Sequence, residues 1–561
     1  MKLLKIKLSD DLKEPFRSLQ PGFVIDFKPD LNAKDLEPVC LAGLNGSGKS
    51  NLFELISEIF YYLDCQQLTF GANSLKEPRD FGFEIEYALP IFLGSPFYKL
   101  DSGIAFGDRY IIVKISKPVG EKPFYHTLPL KFYYKLKEEE KEGGKATVNW
   151  EEVSDNVSFL LPKKIFAYTS GLNELLSNSY YKMQFNYFSE YLKQSKDTER
   201  FYIENSRLFF IDYQANTAIF IANFLLGDAY GIQEIRKATN VKSIHSFRIT
   251  IKKTDPSGKL IRFNQDLEMR IDRLKRCATT FYENDSNSNK VLTLDYLVQE
   301  ATKYAFSKNF GDSPFDLYKT FYELETLNLL TFPPEVRNMI LNAPQWLNIS
   351  DELPKTDPSN LIFRIEKVKI LKEDTKGPIF YKGLSDGEHQ FLQILGLVMM
   401  VEEKGCLFLL DEPDTHYNPV WRSRLIDTLN KICKLNNKEN DDKSRSQEVF
   451  ITSHSPFVLS DIKGRDVYVF EKINNRVVFK PSPIETYGAS AGFILESIFD
   501  KEETISKKAK AEIDSLREGI NTIEDIQRAA DKLNTDFGES IEKFDMFNFL
   551  NKKKREFESN Q

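Results

Sequence analysis

A glycine-rich loop at positions 41–50, with the sequence LAGLNGSGKS, carries residue types that bind phosphate. From Gly43 onwards it fits the spacing G-x-x-x-x-G-K-[ST], in which glycines let backbone N–H groups turn towards an anion without Cβ clashes. The lysine would reach the β- and γ-phosphates of a nucleotide, and the last hydroxyl would bind Mg²⁺. The alternative is a glycine-rich turn that binds nothing. The loop residues that we predict to contact a nucleotide are Asn45, Gly46, Ser47, Gly48, Lys49 and Ser50.

Two adjacent acids follow the apolar run from Cys406 to Leu410, which is typical of a buried parallel strand. Asp411, at the end of this strand, is suited to the shell of a Mg²⁺ ion. Glu412 would point the other way and is suited to polarising an attacking water. The alternative is that the two acids merely cap the strand.

Two further motifs lie close to these acids in the sequence. Ser385 and Gly387 belong to the motif LSDGE, which precedes a segment of helical periodicity and predicts a helix N-terminus that grips an anion. Alone, this motif could be an ordinary helix cap. His454 ends a second apolar strand and follows the acid pair in the order expected of a γ-phosphate sensor. For His389 and His416, the sequence leaves open whether they contact a nucleotide or a partner.

Hydrophobic periodicity predicts the elements that must position these residues. A helix is predicted from position 51 to about 63, directly after the loop. The predicted strands outside the motifs are 2–8, 23–27, 38–42, 83–92, 109–116, 159–171 and 362–370.

In residues 172–345 the hydrophobic periodicity is mainly helical, and Tyr and Phe are frequent. Within this segment a β-hairpin is predicted at 246–263, with its turn at 255–258. The aromatic residues are interpreted as the core of a helical subdomain, with a base-stacking surface as the alternative. After position 481 the pattern is helical and charged, and it ends in a basic run interpreted as a frayed tail. The predicted division is an N-terminal half of the main domain at 1–171, a mainly helical insertion at 172–345, a C-terminal half at 346–480 and a helical region at 481–561.

The composition fits a globular protein of two or more domains: 561 residues, of which 41% are hydrophobic and 28% charged. No apolar run is long enough to cross a bilayer and the first residues do not resemble a signal peptide, so no membrane contact and a cytoplasmic location are expected. Five scattered cysteines argue against a zinc site or a disulfide framework. The net charge of −7 gives no whole-molecule case for nucleic-acid binding, although it allows a local basic groove.

The order of the motifs GLNGSGKSNL, LSDGE, DEPDTHYNP and TSHSP resembles that of ABC-type ATPase heads, in the branch of RecF, the SMC-like proteins and the OLD ATPases. Within this branch, the first residues, the phosphate loop and TYGAS at 486–490 are most similar to restriction-system-associated ATPases and the PtuA-like ATPases of Septu and retron antiphage systems. The resemblance covers about 1–70 and 360–470. It implies an α/β fold, with a mixed sheet around the phosphate loop, a helical insertion and a charged helical C-terminal region.

The same resemblance implies an ATPase that uses ATP and Mg²⁺ at composite sites, each built from two copies of the chain. A homodimer or higher homo-oligomer follows. The implied metal ligands are Ser50 and Asp411, the implied catalytic residues are Glu412 and His454, and the groups closing over the γ-phosphate from the second copy are Ser385 and Gly387.

Related heads imply two further features near the nucleotide: an early basic residue and a glutamine-containing loop. Arg17 could approach the nucleotide, as an early basic residue does in related heads. A glutamine-containing loop after the first helix is also expected, but Gln66 and Gln67 lie too close to that helix to supply it. The sequence therefore leaves the position of this glutamine open.

The resemblance also implies partners. OLD nucleases carry a Toprim domain with a D-x-D cluster, which the roughly one hundred residues after His454 lack, so no nuclease active site is expected in this chain. PtuA-like systems cut with an HNH partner, PtuB, which implies a PtuB-like nuclease, nucleic acid contacted through the complex, and optionally a reverse transcriptase with its RNA/DNA product. Two other functions remain open: a RecF- or SMC-like DNA clamp in repair, and an ATP-dependent scaffold with little turnover.

Overall fold

The computed structural model describes residues 1–31, 33, 36–70, 80–91, 110–130, 132–133, 149–171, 174–197, 206–286, 289–343, 347–434, 447–501 and 505–559. The charged surface loop that the sequence predicts at 135–145 lies outside the described residues, as does most of the polar loop predicted at 434–448. Within the described ranges, no helix has the length and apolar character needed to cross a bilayer.

The strands are β1 (Lys2–Leu8), β2 (Val24–Asp26), β3 (Val39–Gly43), β4 (Phe83–Pro90), β5 (Tyr110–Lys117), β6 (Phe124–Pro129), β7 (Glu151–Glu152), β8 (Ile165–Thr169), β9 (Leu208–Ile211), β10 (Val241–Lys252), β11 (Thr280–Ser286), β12 (Asn289–Leu297), β13 (Phe363–Lys372), β14 (Ile379–Phe380), β15 (Leu407–Asp411), β16 (Glu448–Thr452), β17 (Val467–Ile473) and β18 (Arg476–Pro481). The helices are α1 (Lys49–Gln67), α2 (Asn178–Asp197), α3 (Tyr213–Leu226), α4 (Ala229–Thr239), α5 (Gln265–Cys277), α6 (Glu300–Phe310), α7 (Pro314–Thr326), α8 (Pro334–Leu341), α9 (Ile349–Glu352), α10 (Asp386–Met400), α11 (Pro419–Arg422), α12 (Leu425–Lys434), α13 (Pro456–Leu459), α14 (Ala491–Phe499), α15 (Lys507–Glu518), α16 (Ile523–Asp536) and α17 (Ile541–Ser559).

A seven-stranded sheet forms the centre of the α/β fold, in the order β18-β17-β3-β16-β15-β8-β9. Its neighbouring strands are parallel, except that β17 and β18 form an antiparallel hairpin at one edge. Parallel strands end at the same edge of a sheet, which is where such folds bind ligands. The glycine-rich loop, the acid pair and His454 follow β3, β15 and β16 directly and therefore meet at this edge.

Burial on both faces explains the unbroken apolar run of β15. Phe408 and Leu410 pack into one hydrophobic cluster, whereas Leu407 and Leu409 pack into a second cluster. All four side chains are fully buried. Each such side chain contributes about 1.5–3 kcal/mol on burial, so Asp411 follows a strongly stabilised strand.

The remaining two sheets are antiparallel, in the orders β2-β1-β4-β5-β6-β7 and β11-β12-β10-β13-β14. Ile6 of β1 and Ile85 of β4 share a hydrophobic cluster with Phe53 and Ile56 of α1 and with Leu409 of β15. The helix that follows the glycine-rich loop is therefore packed between the central sheet and the first antiparallel sheet.

The segment 172–345 is not a separate helical insertion, although helices dominate it. The strand β9 extends the central sheet beside β8, and β10 pairs with β13 from the next predicted part of the chain. The turn predicted at 255–258 is present, with Gly258 N donating to Asp255 O, and a short antiparallel bridge joins Thr254 to Leu260. The long strand before this turn, β10, pairs instead with β12 and β13. Local periodicity could not reveal these pairings, because the partner strands are distant in the sequence.

The C-terminal helices α15, α16 and α17 pack around a small cluster of their own. Its central side chains are Ile513, Leu533, Met546 and Leu550. The basic run 552–555 lies within α17, so it is helical instead of a frayed tail.

Candidate active site

The glycine-rich loop leaves β3 at Gly43 and enters α1 at Lys49. Gly43, Gly46 and Gly48 have φ angles of 132°, 77° and 100°, a range that residues with side chains rarely adopt. A Cβ on Gly43 would lie 2.2 Å from Phe470 O, so glycine allows the loop to pass against β17.

Replacing Gly43 by alanine is expected to lower the free energy of unfolding by about 3 kcal/mol or more, because the Cβ clashes with Phe470 O at a strained φ. Gly46→Ala is the matched control, since its φ is also positive but its Cβ would meet nothing within 4 Å. The control should lose only the roughly 1–2 kcal/mol of left-handed strain. Chemical denaturation measures both losses, and equal losses would contradict the clash.

The middle of the loop offers hydrogen-bond donors that the protein does not use. Ser47 is buried and its hydroxyl has no hydrogen-bond partner in the described part of the chain, whereas Asn45 and Gly46 are exposed. Gly48 caps α1, whose first N–H groups have no partner within the helix, as in any helix. This set of donors fits an anion.

Lys49 is buried beneath the loop. Its Nζ donates to Gly43 O and Leu44 O, both at 3.0 Å. Burial lowers the pKa of Lys49 to about 8, and the charges of Glu412 and Asp411 act in the opposite direction. A phosphate oxygen at this position would be a stronger, charge-assisted acceptor than the two loop carbonyls.

Ser50 and Asp411, predicted together as metal ligands, are in contact. Ser50 Oγ lies 3.1 Å from both carboxylate oxygens of Asp411. Thr452 Oγ1 donates to Asp411 Oδ1 at 2.7 Å, and Thr169 Oγ1 lies 3.4 Å from Asp411 Oδ2. Burial raises the pKa of Asp411, while the hydrogen bonds from Thr452 and Ser50 oppose this effect. Hydroxyl and carboxylate oxygens are ligands that suit Mg²⁺.

Glu412 adopts a left-handed backbone conformation, with φ of 48°, which is unusual for a residue with a side chain. Its backbone N donates to Thr452 Oγ1 at 2.9 Å, which helps to hold this conformation. His454 Nε2 lies 3.2 Å from Glu412 Oε1, and this contact lowers the pKa of Glu412. The carboxylate is therefore ionised at neutral pH, and with 40% of its side chain exposed it is accessible to water. These are the properties of a general base.

Ser385 caps α10, as its motif predicts. Its Oγ accepts from Glu388 N at 3.3 Å, and Glu388 Oε2 accepts from Ser385 N at 2.9 Å. Lys372 forms an ion pair with Glu388 at 2.7 Å. Ser385 is exposed, and none of its hydrogen bonds to described residues reaches the loop at 43–50.

Gln390, also on α10, joins this helix to the loop after β15. Its Nε2 donates to Tyr168 OH at 3.0 Å, and its Oε1 accepts from His416 N at 3.0 Å. A Cβ on Gly387 would lie 2.7 Å from His416 O, so glycine permits this close packing. The first turn of α10 and the loop that carries Glu412 are thus held together within one chain.

The two other histidines that the sequence left open lie in different settings. His389 is buried, its ring centroid is 4.7 Å from that of Tyr381, and burial lowers its pKa. The side chain of His416 is exposed. The structure therefore makes His389 a core residue and leaves His416 available at the surface.

Arg17 is held by the helix that follows the glycine-rich loop. Its Nε donates to Glu54 Oε2 at 2.8 Å, and the nearby charge of Asp411 is among the causes that raise the pKa of Glu54 after burial. Arg17 is therefore linked to the site by Glu54, which it contacts directly. Gln66 and Gln67 are in the last turn of α1, where Gln67 contacts Tyr125 OH at 3.5 Å, so neither occupies a separate loop.

Sequence reasoning missed the two threonines that bind Asp411. Thr169 ends β8 and Thr452 ends β16, and each is directly opposite Asp411 in the strand register. In the sequence, both of these apolar strands end in threonine. This pattern indicates a contact with Asp411 only once the two strands are known to be the neighbours of β15.

A phosphate loop beside a strand-end Asp-Glu pair on a parallel sheet defines the class of P-loop ATPases. Residues 237–460 match the model of a family described as "AAA domain, putative AbiEii toxin, Type IV TA system". This range contains the acid pair and begins after the phosphate loop.

Other comparisons give more distant similarity. Among solved structures, the chain is similar to the "SmcHead bound to the C-winged helix domain of ScpA", with a TM-score of 0.31 and 12% identity, over 86% of this chain and 98% of that chain. No curated protein sequence matches the chain. The assignment as an ATPase rests on the family match and on the geometry of the site.

Proposed function

We propose that this chain is the ATP-binding and ATP-hydrolysing subunit of a bacterial antiphage defence complex and that it regulates a separate, PtuB-like HNH nuclease. The observation that carries the ATPase part is the contact between Ser50 and Asp411, which joins the end of the phosphate loop to the acid pair. Lys49 and Glu412 lie on either side of this contact. A bound triphosphate would thus meet a cation, two metal ligands and a base at one edge of the sheet.

In this proposal, the loop residues 45–50 bind the phosphates through backbone N–H groups and Lys49. Bound Mg²⁺ supplies charge neutralisation at the phosphates, and Ser50 and Asp411 are the protein groups that hold it. Glu412 accepts the proton of the attacking water, and His454 orients that carboxylate through their contact.

We further propose that the site is completed by a second copy of the chain, in a homodimer or a higher homo-oligomer. The support is that Ser385 and Asp386, at the start of α10, are exposed, and that the hydrogen bonds of Ser385 to described residues do not reach the phosphate loop of the same chain. An exposed helix N-terminus with a free face is suited to a phosphate that another copy presents.

The experiment that tests the composite site mixes two inactive variants. Lys49→Ala removes the phosphate loop's cation, and Ser385→Arg blocks the start of α10. Each variant alone should hydrolyse little ATP. After subunit exchange, half of the dimers contain one intact site, so the mixture should recover about one quarter of the wild-type rate if the two sites act independently.

Ser423→Arg, at an exposed position after α11, is the control for adding an arginine and should remain active. Activity of Ser385→Arg alone, or no recovery in mixtures whose exchange is verified by labelled subunits, would exclude a site shared between copies. Whether a site formed within one chain hydrolyses ATP would then need a separate measurement.

We assign nuclease docking to the C-terminal helices. Support comes from their separate hydrophobic cluster and from two exposed apolar side chains on α17, Ile541 and Phe544. Nucleic acid, and a reverse transcriptase with its RNA/DNA product where one is encoded nearby, would join through the complex.

An HNH reading frame next to this gene would be the first support for the nuclease partner. Its product should co-purify with the full chain, and the double variant Ile541→Ser, Phe544→Ser should release it while hydrolysing ATP normally. Retention of the nuclease by this variant would exclude α17 as the docking surface.

A further inference from the structure

Two neighbouring cavities lie between α2, β9 and α7, and the candidate active site does not use them. Their volumes are about 110 Å³ and about 150 Å³, and they share the side chains of Gln184 and Tyr322. The larger one, called the β9 cavity here, lies at the carboxyl end of β9, the edge strand of the central sheet. Crevices at this edge are where α/β folds bind small molecules.

Aromatic side chains form a substantial part of the wall of the β9 cavity. It opens near Gln214, which is exposed, and reaches inwards to the buried side chains of Ala215 and Leu329. The aromatic residues that line it are Tyr180, Tyr181, Phe185, Phe210, Tyr322 and Phe332. Such a wall suits an apolar or cationic ligand, because ring faces attract cations.

Two acids from different elements line this cavity. Asp212 follows β9 and caps α3, with Oδ1 accepting from Ala215 N at 2.9 Å, while Glu325 projects from α7. Burial, followed by the nearby charge of Asp212, raises the pKa of Glu325 to about 8, and burial raises the pKa of Asp212. No lysine, arginine or histidine in the described part of the chain forms an ion pair with either carboxylate.

An unpaired hydroxyl lies close to the same acids. The side chain of Tyr318, on α7, is 1% exposed and its OH has no hydrogen-bond partner among the residues that the structure describes. Burial raises its pKa, and the charges of Glu325 and Asp212 add to this effect. Burial keeps Glu325 mostly protonated at neutral pH, and a bound cation would favour ionisation of both acids.

We propose that the β9 cavity binds a small organic amine, with the ammonium group between Asp212 and Glu325 and the apolar part against the aromatic wall. An ionised carboxylate of this pair repels anions, which disfavours phosphate and carboxylate ligands. A neutral ligand would not favour ionisation of Glu325, whose pKa burial raises to about 8. A bare metal ion would leave the aromatic wall without a contact.

The test uses the full chain and three probes of similar shape: benzylamine, benzyl alcohol and benzoate. Isothermal titration calorimetry at neutral pH should show benzylamine binding at least about tenfold more tightly than benzyl alcohol, because a hydrogen bond to a charged group is worth more than a neutral one. Benzoate should not bind. The measurement does not involve ATP, so its outcome is independent of the proposed hydrolysis.

Two conservative variants locate the site. Asp212→Asn retains an oxygen that can cap α3, and Glu325→Gln retains the side-chain shape, so each removes a carboxyl group that could ionise on binding an ammonium group. Each should weaken benzylamine binding about tenfold, whereas Glu352→Gln, on the exposed end of α9, should leave it unchanged.

Equal affinity for benzylamine and benzyl alcohol would overturn the proposal. Because this comparison uses the unsubstituted chain, it tests the proposal even if both variants fail to fold. Unchanged affinity in folded Asp212→Asn and Glu325→Gln would also overturn it. Displacement of benzylamine by millimolar MgCl₂ at constant ionic strength would assign the acids to a metal ion instead.

Discussion

Replacing Glu412 by glutamine is expected to lower kcat for ATP hydrolysis at least about 100-fold while ATP binding is retained. Glutamine keeps the size of the side chain but cannot accept a proton from water. Lys49, Ser50 and Asp411 are unchanged, so the phosphates keep their contacts. Steady-state hydrolysis and equilibrium binding of ATP, measured on the same preparation, separate the two effects.

Glu121→Gln, on an exposed turn, makes the same chemical change far from the acid pair in sequence and should hydrolyse ATP at the normal rate. Unchanged hydrolysis by Glu412→Gln would show that another group is the base. If Glu412→Gln lost hydrolysis but kept the assembly and its nuclease regulation, the chain would be an ATP-dependent scaffold rather than a machine driven by hydrolysis.

Replacing Lys49 by alanine is expected to reduce kcat/KM for ATP by about 100- to 1,000-fold, the typical cost of removing one preorganised group that stabilises charge. The loss has a different origin from that in Glu412→Gln, because the variant should also fail to bind ATP. Binding of a fluorescent ATP analogue distinguishes the two variants directly.

Lys49→Arg tests whether a positive charge at this position is sufficient for ATP hydrolysis. Nζ of Lys49 fits within 3.0 Å of Gly43 O and Leu44 O, and a guanidinium group is too wide for this position. We expect Lys49→Arg to remain strongly impaired, and normal activity would show that the loop accommodates any cation. Lys122→Ala, on an exposed turn, is the control and should be fully active.

The parts of the site that could be predicted from the sequence are those encoded by short continuous stretches. The glycine-rich loop lies between a strand and a helix, and the acid pair directly follows an apolar run. In both cases the local pattern defines the strand, and the parallel sheet then brings the strand ends together. This is why Ser50 and Asp411, predicted together from separate motifs, are in contact.

The parts that could not be predicted depend on contacts between distant segments. Gln390 is unremarkable in the sequence, because its role follows from Tyr168 and the backbone of His416. Asp212 reads as a helix cap and Glu325 as one acid on a charged helix face, and only the folded chain places both on one cavity. The four-part division of the chain was limited by the same problem, since β9 joins the central sheet from within the segment 172–345.

The position of β3 within the central sheet has a consequence for how the protein is made. Cys40 of β3 pairs with Ile451 on one side and with Val467 on the other, so this early strand has no sheet neighbour until the ribosome has added more than four hundred further residues. At about 5–20 residues per second, this apolar strand waits for roughly 20–90 s during synthesis. Nascent chains of this protein should therefore depend on chaperones, and assembly of the central sheet must await the synthesis of β16 and β17.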